Sequence, residues 1–91
     1  MPDRSIKKPL TSAQIRASRG LLRWSAEDLA REAVLGLATI KRAEAADNET
    51  SMTMANDLAV RRALEAAGVE FIDENGGGPG VRLRKRHQKK G

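Results

Sequence analysis

The stretch Trp24 to Glu44, WSAEDLAREAVLGLATIKRAE, decides how the chain is read, because two helix starts follow from its capping chemistry. Ser25 is placed to accept a hydrogen bond from the backbone amide three residues on, where Asp28 answers by accepting from the amide of Ser25. Trp24 and Leu29 flank that box at the spacing of a hydrophobic staple. Gly36, a weaker cap than serine, opens a second helix with Leu35 and Ile40 as its staple. Residues 33–36 are then a tight turn. On the second helix, at about 100° per residue, Leu37, Ala38, Lys41 and Arg42 cover one arc, while Thr39, Ile40 and Ala43 point elsewhere. One face packs and the other is free.

Upstream, Thr11 and Gln14 have capping-box spacing and Leu10 and Ile15 staple spacing, so a helix starts at Thr11 and runs to about Leu22 with Ile15 and Leu22 inward. Gly20 weakens its middle by about 1 kcal/mol relative to alanine. Downstream, AADNETS is short and polar and reads as a turn. A fourth helix is expected from about Met52 to Ala67, ended by Gly68. Asp57, Arg61 and Glu65 recur every four residues and read as a solvated stripe. That leaves Met54, Ala55, Leu58, Ala59, Leu64 and Ala67 to pack, with Met52 and Met54 as core or rim fillers. In VEFIDENGGGPGVRLR, Val69, Phe71, Val81 and Leu83 fall at strand spacing around a Gly/Pro-rich reversal, which predicts a small β-hairpin. The GGGPG run lacks the lysine and following helix of a phosphate loop. A lone hairpin is marginal in water, so it leans on the helices, with Phe71 as anchor, or pairs with a second copy in a homodimer.

At this point the chain resembles the phage-repressor/Cro-like family of helix-turn-helix proteins, often called XRE, over roughly Thr11 to Gly68. The resemblance is carried by WSxEDLA at Trp24 to Ala30, LATIKR at Leu37 to Arg42 with Glu44 following, and Arg19 in the preceding helix. It implies a structural ion pair between Arg19 and Glu44, tying the first helix to the third. The expected fold is mainly α, a four- to five-helix repressor-like helix-turn-helix domain with a small C-terminal β-hairpin. Its expected parts are a flexible basic arm (1–9), the helix-turn-helix domain (10–68), the hairpin (69–84) and a basic disordered tail (85–91). Where the family ends its first two helices with glycine, this chain has Arg23 and Val34. A β-branched residue suits the left-handed conformation poorly, so a reshaped turn is expected near Val34. Ala26 stands where many members have a phosphate-contacting glutamine, and Ala43 where a larger apolar residue is usual.

Ninety-one residues make one small domain, marginally stable by itself. The absence of cysteine removes disulfides and thiolate metal sites and fits a cytoplasmic setting. MPDRSIKKPL lacks the apolar stretch of a signal peptide, and no run approaches a membrane span. The net charge of +5 is unevenly spread: residues 10–81 hold eight basic against eleven acidic side chains, whereas residues 82–91 hold six basic and none acidic. That tail either neutralises phosphates, making affinity salt-dependent, or is a solvated terminus. His87 within it has no companion ligand. With one His, no HExxH, no nucleophile elbow and no convergent carboxylates, the sequence offers no catalytic constellation. An enzyme is not expected, nor a cofactor or metal.

The resemblance implies a transcriptional regulator, a repressor that binds double-stranded operator DNA. Ser25, Ala26 and the amide end of their helix meet phosphate. The helix that starts after Gly36 enters the major groove, with Arg42 aimed at guanine, Leu37 and Ala38 at thymine methyls, and Thr39 and Lys41 as neighbours. The competing reading is an antiactivator that uses the same fold to bind and inhibit a transcriptional activator protein. It is favoured by the acidic body, the apolar Leu37 and Ala38, and Ala26 in place of glutamine. An antitoxin that also regulates itself is a third.

Overall fold

The structure, a computed structural model, describes residues 8–72 and 76–84. Four helices and a hairpin follow one another: α1 (Ser12–Leu22), α2 (Ala26–Ala33), α3 (Leu37–Ala45), α4 (Met54–Ala66), β1 (Val69–Ile72) and β2 (Gly80–Leu83). The molecule is mainly α, as expected. Most of the arm at 1–9, all of the tail at 85–91 and His87 lie outside the described residues.

Both capping boxes form. Thr11 accepts from the Gln14 amide and Gln14 answers at Thr11, and Ser25 and Asp28 do the same for α2. The staples close too, with Leu10, Ile15 and Leu29 fully buried and Trp24 packed against the core.

Helices α1 and α2 end alike. The amide of Arg23 bonds the Gly20 carbonyl and that of Trp24 the Arg19 carbonyl; Val34 reaches Arg31 and Leu35 reaches Ala30 in the same way. This paired pattern is the Schellman ending, and it sets Arg23 at φ 60° and Val34 at φ 58°, ψ 47°. The expectation of a reshaped turn at Val34 is corrected. The ending is made by backbone amides and carbonyls, which valine possesses as glycine does, so the strain is absorbed rather than avoided.

Helix α4 departs from expectation in two respects. It starts at Met54 because the side chain of Thr53 accepts from the Asn56 amide and serves as N-cap. Its inward face is Val60, Arg61 and Leu64, not the Met54, Ala55 and Leu58 face, and Met54 is 75% exposed. Leu58 and Val60 lie on opposite sides of a helix, so only one can face the core. Arg61 is no part of a solvated stripe: it is 6% exposed, donates 2.9 Å to the Lys8 carbonyl and lies 5.0 Å over the Phe71 ring. Asp57 likewise turns inward and accepts from the Leu10 amide at 2.9 Å. Lys8 and Pro9, assigned to a flexible arm, are therefore held against α4 by backbone groups on either side of Pro9.

The hairpin is antiparallel, with Val69 opposite Leu83 and Phe71 opposite Val81 on one face. That face packs on α1 and α4, and Gln14 Nε2 donates to the Gly80 carbonyl at 3.2 Å. Core and hairpin are thus continuous: Leu10, Ile15, Leu29, Ile40, Val60, Leu64 and Val69 are all at most 1% exposed. Each such side chain contributes about 1.5–3 kcal/mol relative to exposure.

Candidate functional site

Helix α3 packs on α2 and is tied to α1 by side chains. Arg19 meets Glu44 side-on, Nε to Oε2 at 2.6 Å and Nη2 to Oε1 at 2.7 Å, while its Nη1 donates to the Trp24 carbonyl at 2.8 Å. One guanidinium thereby joins α1, the first turn and α3. Hydrogen bonding to Glu44 is the main cause of the raised Arg19 pKa, opposed by burial. Arg16 adds a bond to the Glu44 carbonyl at the C-terminal end of α3, where a cation is electrostatically favoured. The segment after α3 is docked as well, since Ser12 donates its amide to Asn48 and its hydroxyl to Ala46.

These ties press Ile40 and Ala43 into the core and leave Ala38, Lys41, Arg42 and Ala45 exposed. On a 100° wheel the four span one continuous arc about 100° wide. Among the described residues, no ion pair or hydrogen bond engages the Lys41 ammonium or the Arg42 guanidinium. Two cations without a partner among the described residues, with Ala38 and Ala45 between them on the arc, form the accessible face of α3.

The other candidate residues divide. Ser25 and Gly36 are exposed, and open space surrounds the position where a Cβ would stand on Gly36. Ala26 and Leu37 are half-buried and packed against the core, so they offer the edge of the surface rather than its centre. Leu37 is corrected in this respect: it lies at the rim of the arc and closes the turn. Thr39, half-buried, lines a shallow recess of about 160 Å³ together with Arg42, Thr50, Ser51, Thr53 and Asn56.

The sequence reading passed over that recess. It lies where α4 begins, and Ser51 takes a left-handed conformation at φ 64° just before the Thr53 cap. The helix start, the neighbouring hydroxyl and amide side chains and Arg42 make it suited to an anionic oxygen. Its signal was the cluster of Thr, Ser and Asn residues in ETSMTMAND, which the sequence suggests only as the end of a turn and the start of a helix.

The start of α2 is electrostatically different. Glu27 and Asp28 lie in its first turn, and Asp28 is committed to the Ser25 amide and to Arg31 at 2.7 Å. Those hydrogen bonds, the backbone one first, hold the Asp28 carboxyl below the usual carboxylate range. Beside α2, Val34 stands 86% exposed at the tip of the turn.

Among the described residues there is no cluster of three or more His, Cys, Asp or Glu side chains arranged to hold a metal ion, and no helix long and apolar enough to cross a membrane. No protein-family model matches the chain, and no curated protein matches it.

Proposed function

We propose that this protein is a helix-turn-helix regulator of the phage-repressor/Cro-like type, in which α2 and α3 form the motif and α3 binds the major groove of double-stranded DNA. The observation that carries the reading is the accessible arc of α3: Lys41 and Arg42 project from a helix that Arg19 and Arg16 hold rigidly by its other side. Arg42 suits a bidentate contact to guanine, and Ala38 a thymine methyl. Ser25 and the Thr53–Asn56 start of α4 supply hydrogen-bond donors for phosphates on the flanks.

The test is a mobility shift with the DNA upstream of the protein's own coding sequence, at two salt concentrations, with Arg42→Ala and Lys41→Ala. Loss of a bidentate contact costs about 1–3 kcal/mol and relaxes selectivity at one base pair. Arg42→Ala therefore weakens selective binding about 5- to 150-fold, while binding to unrelated duplex changes far less. Binding that is equal on all duplexes and indifferent to Arg42→Ala refutes the proposal.

A second reading has its own observation. Val34 exposes an apolar side chain at the turn, and Glu27 and Asp28 place negative charge where a phosphate would approach α2. These favour a protein partner, a transcriptional activator held by the same face. In that case Val34→Ser and Arg42→Ala weaken capture of the activator, and duplex DNA does not compete.

A further inference from the structure

We infer that the outer edge of β2 accepts an acidic, extended peptide segment of another protein as a third strand. This surface is separate from the accessible face of α3.

The register determines which backbone groups face outward. The Arg84 amide donates to the Gly68 carbonyl at 2.6 Å, so residues 68 and 84 form a hydrogen-bonded pair of the antiparallel ladder. Such pairs alternate, which makes Glu70 with Arg82, and Ile72 with Gly80, the next two. Val69, Phe71, Val81 and Leu83 therefore direct their amides and carbonyls away from the partner strand. Among the described residues the sheet has these two strands alone. Val69 in β1 is fully buried and its neighbours half-buried, whereas β2 runs outward: Arg82 is 67% and Leu83 46% exposed. Among the described residues none hydrogen-bonds the outward amides and carbonyls of Val81 and Leu83, so the open edge is that of β2, with these groups as its docking groups.

Charge decides what fits there. Arg82, on this strand, and Arg84, just past its end, flank Leu83. A second copy pairing β2 with β2 would set arginines beside arginines, which opposes association. A strand of opposite sign is drawn in by the same charges. The hairpin already contains one side of this recognition: Glu70 on β1 sits across from Arg82, with Arg82 Nε 2.7 Å from Glu70 Oε1. An acidic residue on an added strand repeats that contact from the other side of Arg82. Strand addition of this kind takes affinity from main-chain bonds and selectivity from alternate side chains.

The experiment uses the full chain, isotope-labelled, and a ten-residue peptide alternating glutamate with valine or threonine. A second form of the peptide is N-methylated on alternate residues, so that it keeps its charge but cannot complete a ladder. The expected result is slowed amide exchange at Val81 and Leu83, with no change at the already bonded Arg82, and at least fivefold weaker binding of the N-methylated form, the equivalent of one lost hydrogen bond. Val81→Pro removes an outward amide without touching the ladder to β1, and weakens the unmodified peptide to a similar degree. Equal binding of both peptides, or of duplex DNA in the same place, overturns the inference in favour of capture by basic side chains. Protection at Val81 and Leu83 without peptide, rising with protein concentration, overturns it in favour of a second copy. No binding at all overturns it too. None of these readouts depends on Arg42, so failure here leaves the proposal for α3 intact, and the reverse holds.

Discussion

Val34→Gly should make the protein more stable although it deletes an entire side chain. The residue sits at φ 58°, ψ 47°, where an L-residue costs about 1–2 kcal/mol, and β-branching places valine toward the upper end. At 86% exposure its side chain returns almost nothing in packing. Glycine relieves the strain but adds about 0.5–1 kcal/mol of unfolded-state entropy. The net gain is about 0.5–1 kcal/mol, which for a domain of this size raises Tm by about 3–6 °C. Urea and thermal denaturation followed by the fluorescence of Trp24, the only tryptophan, measure it directly. Arg23→Gly should act in the same direction by less, because arginine is unbranched at Cβ. A fall in stability on Val34→Gly would refute the reasoning, since it would mean that the valine side chain has a contact worth more than its strain. A rise in stability accompanied by loss of activator capture would identify Val34 as a partner contact.

Breaking the Arg19–Glu44 pair by Glu44→Gln should cost about 2–3 kcal/mol, somewhat below a fully buried pair because Arg19 keeps 23% side-chain exposure; a double-mutant cycle with Arg19→Ala isolates the coupling. The buried Ser18 hydroxyl has no hydrogen-bond partner among the described residues, so Ser18→Ala should stabilise the fold by about 1 kcal/mol, read by the same denaturation. The lowered pKa of Asp28 means that its contribution is fully present above the ordinary carboxylate value of about 3.9 and is lost as pH falls through the lower folded value. Faster amide exchange at Ser25 in that acidic window, absent in Asp28→Asn, checks the sign.

What was legible in the sequence was whatever neighbouring residues decide among themselves. Thr11 with Gln14, and Ser25 with Asp28, complete their caps within four residues, so the starts of α1 and α2 were readable to the residue. The hairpin itself followed from alternation around the glycines, and its register came from the structure. What could not be read depends on distant partners. Arg61 looks solvated beside Asp57 and Glu65; besides a 3.9 Å pair with Glu65, the Lys8 carbonyl and the Phe71 ring, both outside α4, make its burial favourable. The candidate site follows the same division. The exposed arc of α3 was legible from its period, whereas the recess at Thr53 required knowing that the start of α4 lies against Arg42.

Arg61 makes a single post of the middle of α4. Its guanidinium holds the backbone at Lys8, its flat side receives Phe71, and one turn further on the Glu65 carbonyl takes a bond from Arg84. The two most basic ends of the described chain are thereby moored to adjacent turns of the same helix. Trimming the protein back to Leu10, as a boundary drawn from composition would suggest, therefore does more than shed charge. It strips the acceptor from an interior guanidinium and loosens the aromatic ring that seats the hairpin, so that an edit at one end is felt at the other.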